Sequence, residues 1–85
     1  MDSITSFKEK LDNEHHWPTT YMFKFVVPAN KAMEVKTTFP KETFETKESK
    51  GGNYISFTLK KMIYSSDEVV EIYQEARKIE GLIAL

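Results

Sequence analysis

The chain has 85 residues, enough for one hydrophobic core and short of the usual length of two domains. Hydrophobic residues make up 40% and charged residues 29%, close to globular averages, which argues against both a disordered chain and one that lives within a membrane. Twelve basic side chains face thirteen acidic ones, so the long-range field that draws proteins to nucleic acid or anionic lipid is missing, and the lack of cysteine removes disulfides, thiolate nucleophiles and cysteine metal sites.

From Ser3 the apolar residues Ile4, Phe7 and Leu11 recur at helical spacing, with Ser3 or Asp2 as cap, which predicts a short N-terminal helix outside the core fold. Asp12 to Pro18 is polar, ends in His15-His16-Trp17-Pro18, and reads as a connector. The expected organisation is therefore one domain over 1–85, with helix and linker in 1–17 and the core in 18–85. Thr19 to Val27 is aromatic and β-branched, with Tyr21, Phe23, Phe25 and Val27 on one face and Met22, Lys24 and Val26 on the other. Both faces are largely apolar, which suits a central strand.

Pro28 closes that strand, and Asn30 is the expected cap of a brief helix to about Phe39, with Ala32, Val35 and Phe39 toward the sheet. Glu42 to Ser49 mixes Phe44 and Thr46 with charges and reads as a polar edge strand. Lys50-Gly51-Gly52-Asn53 predicts a hairpin turn. Tyr54 to Tyr64 then alternates, with Ile55, Phe57, Leu59 and Ile63 on one face and Ser56, Thr58 and Lys60 on the other.

Ser65-Ser66-Asp67-Glu68 has the pattern of a capping box. It opens a helix whose stripe is Val69, Ile72, Tyr73, Ala76 and Ile79, with Arg77 and Lys78 in the last turn and Gly81 as its stop. Leu82 to Leu85 supplies a closing strand. Short connections and right-handed crossovers assemble helix-βαββαβ into an α+β protein of the ferredoxin-like sandwich type. Its sheet would have four antiparallel strands, with two helices on one face and the short N-terminal helix extra.

Tyr21-Met22-Phe23-Lys24-Phe25, the hairpin run Ser49-Lys50-Gly51-Gly52-Asn53-Tyr54-Ile55-Ser56, Ile72-Tyr73 and Ile83-Ala84-Leu85 together resemble the YbeD-like family of small bacterial proteins of unknown function. The resemblance covers about Pro18 to Leu85, and its hairpin run is the most specific part. It implies a ferredoxin-like fold similar to the ACT domains that regulate amino-acid metabolism. Two departures stand out: the family's commoner form closes the first strand with glycine, where Val27 stands here, and has a longer first helix.

No side chain is assigned a catalytic, cofactor-binding or metal-ligating role, and no cofactor is expected. His15 and His16 beside Glu14 lack the three spaced ligands of a catalytic zinc, and Trp17 is expected to pack the first helix onto the sheet. Asp67 and Glu68 are explained as first-turn acids. Acylphosphatases of the same fold hold phosphate with an arginine after the first strand, where this chain has Pro28-Ala29-Asn30-Lys31; its single arginine is Arg77. RNA-recognition domains need outward aromatics on the central strands, where Ser56 and Thr58 stand instead. The leading expectation is a noncatalytic regulatory or adaptor module binding a small metabolite or a protein. The candidate surface is Lys24, Lys50, Asn53, Ser56, Thr58 and Lys60. Nucleic acid and membrane are not expected partners, the cytoplasm is the expected location, and a homodimer through the sheet face that carries Met22 and Val26 is a further expectation.

Overall fold

The computed structural model describes residues 3–85. Its elements run α1 (Ser3–Glu14), β1 (Thr19–Pro28), a 3₁₀ turn (Ala29–Lys31), α2 (Ala32–Thr38), β2 (Glu45–Glu48), β3 (Tyr54–Ile63), α3 (Ser66–Ala76) and β4 (Ile83–Ala84). The protein is α+β, with a four-stranded antiparallel sheet in the order β2-β3-β1-β4 and three helices.

Aromatic and β-branched residues at alternate positions make β1 and β3 the two long central strands. They pair along their full length, from Thr19 opposite Ile63 to Pro28 opposite Tyr54. That register brings Phe23 opposite Leu59 and Phe25 opposite Phe57, so one side of the ladder is continuous apolar surface. Phe23, Phe25, Val27, Phe57 and Ile63 are fully buried on it, each worth roughly 1.5–3 kcal/mol of burial. Val35 and Phe39 from the α2 region and Val69, Ala76 and Ile79 from the α3 region close the core from the other side.

Several expectations are corrected by the packing. The N-terminal helix does not lie outside the core: Leu11 is 4% exposed within it, Phe7 meets the Tyr73 ring edge-on at 5.8 Å, and Lys8 pairs with Asp67. Ser3 is itself helical rather than the cap, and the alternative cap, Asp2, lies outside the described residues. Asn30 does not cap α2, because the chain enters it through a 3₁₀ turn that contains Asn30 and makes no side-chain capping bond. The second strand is shorter than 42–49, since only Glu45 to Glu48 reach ladder partners on β3.

At α3 the Glu68 amide donates to the Ser65 hydroxyl at 3.4 Å, as a capping box requires. The Glu68 carboxylate accepts from the Tyr64 amide at 3.2 Å, one residue earlier than the expected reciprocal bond. Arg77 and Lys78 fall beyond the helix rather than in its last turn. Gly81, with φ 81°, turns the chain toward β4 against Pro28.

Candidate functional site

The period-two alternation that buries Phe23, Phe25 and Val27 turns Met22, Lys24 and Val26 to the opposite side of the sheet. On β3 it turns Ser56, Thr58, Lys60 and Met62 there as well. The register sorts them into rows, with Lys60 opposite Met22, Thr58 opposite Lys24 and Ser56 opposite Val26. From the flanks, Glu45 joins Thr58, Lys47 joins Ser56, and Ile83 joins Val26. Met22 is 55% and Met62 47% exposed, so among the described residues no second layer covers this face.

Lys24, Lys47, Lys50 and Lys60 make no ion pair among the described residues, whereas Lys8, Lys31, Lys61 and Lys78 are each matched to a carboxylate elsewhere. Glu45 stands among them on the face, and Glu48 lines the hairpin-end depression together with Lys24, Lys47 and Lys50. A chain of near-neutral net charge thus carries a locally basic sheet face, and neighbouring like charges leave it complementary to acidic groups.

At the hairpin end the face sinks into a depression of about 480 Å³ whose lining includes Lys24, Lys47, Lys50, Ser56, Tyr54 and Leu85. The β2–β3 turn that frames it is fastened by backbone bonds. The Ser49 amide donates to the Tyr54 carbonyl at 2.8 Å, the Gly52 amide to the Ser49 carbonyl at 2.9 Å, and Gly52 takes φ 73°. The Tyr54 amide donates to the Ser49 hydroxyl at 3.1 Å.

Of the six candidate residues, Lys24, Ser56, Thr58 and Lys60 do share the outward face, and Lys50 stands on the rim of its depression. Asn53 does not line it; its carbonyl accepts the Ala29 amide at 2.9 Å and fastens the hairpin to the loop after β1. Lys47 and Tyr54 were not anticipated. Counting by twos through the short second strand would have placed Lys47 outward, but the strand's register depends on the turn.

The other motifs are held in structural roles. The Trp17 indole donates to the Asp12 carboxylate at 2.8 Å, and the His15 ring lies 5.3 Å from Trp17 and 5.4 Å from Tyr21. Trp17 packs against the core as expected. In the loop after β1, Lys31 is 3.5 Å from Glu34 and the Ala29 amide is already bonded. Tyr21 and Tyr73 bring their hydroxyls to 3.4 Å at the α3 side of the sheet, and burial, reinforced by that contact, pushes the Tyr73 hydroxyl above the ordinary tyrosine range. Among the described residues no three His, Cys, Asp or Glu side chains are grouped to hold a metal ion, and no helix is long and apolar enough to cross a membrane.

No curated protein and no solved structure matches the chain. The family model described as protein of unknown function, DUF493, matches residues 12–85, which takes in the linker, every strand, α2, α3 and the hairpin of the candidate face. The chain therefore belongs to the DUF493 family, which is the YbeD-like family its strand and hairpin residues resemble.

Proposed function

We propose that this chain is a noncatalytic adaptor or regulatory module that docks a protein partner on the open face of its sheet. The observation that carries the reading is the combination on that face of four lysines without ion-pair partners and the exposed side chains of Met22 and Met62. Solvated faces usually disperse their apolar residues and neutralise their charges locally, and a contiguous basic and apolar patch departs from both habits. A protein fits its breadth better than a small metabolite does, because Lys60 and the exposed Met22 and Met62 lie on the same face outside the depression that Lys24, Lys47 and Lys50 line.

The ferredoxin-like, ACT-like part of the proposal draws on the connectivity. In the order β2-β3-β1-β4, the connection from β1 to β2 carries α2 and that from β3 to β4 carries α3, and every neighbouring pair is antiparallel. Two interleaved crossovers of this kind are the split βαβ arrangement. The noncatalytic part draws on the spent groups of the loop after β1, and the case against RNA on Met22, Lys24, Ser56, Thr58 and Lys60 filling the middle of the two central strands, with Tyr54 the ring at the hairpin end of that face. Residence in the bacterial cytoplasm belongs to the same proposal through the family resemblance. Face-to-face pairing of two copies would oppose two sets of uncompensated lysines, so the occupant is a different protein.

The test is affinity capture from a source-cell lysate with the wild type and a Lys24→Glu/Lys60→Glu variant in parallel. A partner recovered reproducibly by the wild type and lost with the variant is the expected result. Recovery of the same partner by both would sink the docking-face reading.

A further inference from the structure

β2 is the outer strand of the sheet at the side away from β4, and its residues, Glu45 to Glu48, are all exposed. It comes from the middle of the chain, and among the described residues no strand pairs with its far side. The Ser49 amide donates to the Tyr54 carbonyl in continuation of the β2–β3 ladder. In an antiparallel strand the peptide groups of alternate residues point the same way, so those of Lys47 and Glu45 also face β3. The N–H and C=O groups of Thr46 and Glu48 therefore point outward, and such an edge is a template for a further strand.

Short, charged edge strands ordinarily resist pairing. Here the order of the charges leaves one exception. Two copies of β2 related by a two-fold axis run antiparallel, and their outward peptide groups meet only when the axis passes through a residue pair rather than between residues. An axis at Glu45, Lys47 or Glu48 sets that charge against its own copy, which destabilises a cross-strand pair. An axis at Thr46, the uncharged residue of β2, sets Glu45 of each copy opposite Lys47 of the other. These are non-hydrogen-bonded pairs, in which the backbones approach most closely, at about 4.5 Å between Cα atoms. Thr46 meets its own copy in a hydrogen-bonded pair, and Glu48 comes opposite Phe44, with no like charge facing it.

Within one chain Glu45 and Lys47 stand on the open face, opposite Thr58 and Ser56, and neither makes an ion pair among the described residues. On the helix side Thr46 and Phe44 border a depression of about 400 Å³ that reaches Phe39 and Phe57, so the same pairing lays Thr46 of the second copy along an aromatic wall. We infer that β2 is a homodimer edge, at which two copies pair antiparallel about Thr46 and join their sheets into one. Directly opposed residues point to the same side, so both open faces lie on one side of the joined sheet. Lys24, Lys50 and Lys60 remain clear there for a different protein. The inference goes beyond the docking reading and does not depend on it.

The test is sedimentation velocity on the full-length protein over a range of concentrations at low salt. The wild type is run beside Glu45→Lys, Lys47→Glu and the double swap Glu45→Lys/Lys47→Glu. A reversible wild-type dimer is expected, dissociating at micromolar to millimolar concentration as suits a small interface. Each single substitution acts twice across the axis, so association should weaken roughly tenfold, and the double swap, which restores opposite charges, should recover it. In the wild type, amide exchange at Thr46 and Glu48 should slow as the concentration rises, a measurement that stands even if a variant fails to fold. A wild type that stays monomeric at millimolar concentration would overturn the inference. So would a dimer indifferent to both single substitutions, or one lost on Lys24→Glu, since either places the contact elsewhere. Weakening by both single substitutions without recovery in the double swap would refute the register about Thr46.

Discussion

Leu11→Ala tests whether α1 is part of the core. Leu11 is 4% exposed and contacts the same cluster as Val69 and Phe23, so truncation removes buried methyl and methylene groups and leaves a hole beneath the helix. Leu→Ala changes of this kind cost about 2–5 kcal/mol, the spread reflecting how far the site collapses. Here α1 is a single surface helix that settles inward more readily than a central strand, which selects the lower half, roughly 2–3 kcal/mol. In a domain of this size that lowers the melting temperature by about 10–20 °C. The assay is urea and thermal unfolding followed by the fluorescence of the single tryptophan, Trp17, whose indole is bonded to Asp12 of α1, with far-ultraviolet ellipticity as the second probe. Ile4→Ala, on the same helix at a residue 43% exposed, is the control and should cost under about 1 kcal/mol. A Leu11→Ala loss as small as the control's, with coincident transitions, would refute the claim that α1 is packed into the core.

Two further consequences concern the groups that set the sheet's last connection and its buried hydroxyls. Gly81→Ala forces a Cβ to 3.0 Å from the Pro28 ring at a φ of 81°, so a loss of about 1–3 kcal/mol is expected by chemical denaturation, and a neutral result would show that the turn relaxes freely. Tyr73 is held protonated in the folded protein more strongly than in the unfolded chain. Its raised folded-state value means that its contribution is fully present below about pH 10, the ordinary tyrosine value, and is lost as the pH rises beyond it. The urea midpoint of the wild type should therefore fall more steeply above pH 10 than that of Tyr73→Phe, and parallel pH profiles would contradict this.

Local chemistry made much of the molecule legible. Phe23, Phe25 and Val27 alternate with Met22, Lys24 and Val26, and this alone assigns the two faces of β1, because side chains on a strand can only point to one side or the other. The hairpin glycines and the Ser65 cap are equally local, since each satisfies backbone requirements within a few residues. The candidate lysines Lys24 and Lys60 were readable for the same reason. The bond that the Asn53 carbonyl accepts from the Ala29 amide was not legible, because it is a contact across 24 positions of chain that no local pattern reveals.

Other features required long-range contacts. The stripe Ile4, Phe7 and Leu11 announces an amphipathic helix but not the surface it covers, which proved to be α3 and the core. Lys61 stands at an inward-turning position of β3, and only the loop before β2 explains it, by bringing the Glu42 carboxylate to 2.6 Å. Composition gave a nearly neutral chain, and it took the pairing of β1, β2 and β3 to gather uncompensated lysines on one face. The sequence by itself thus determined the elements and their faces. The tertiary structure alone decided where α1 sits, how Lys61 meets Glu42, and which strands flank β1, because each of these depends on contacts between residues far apart in the chain.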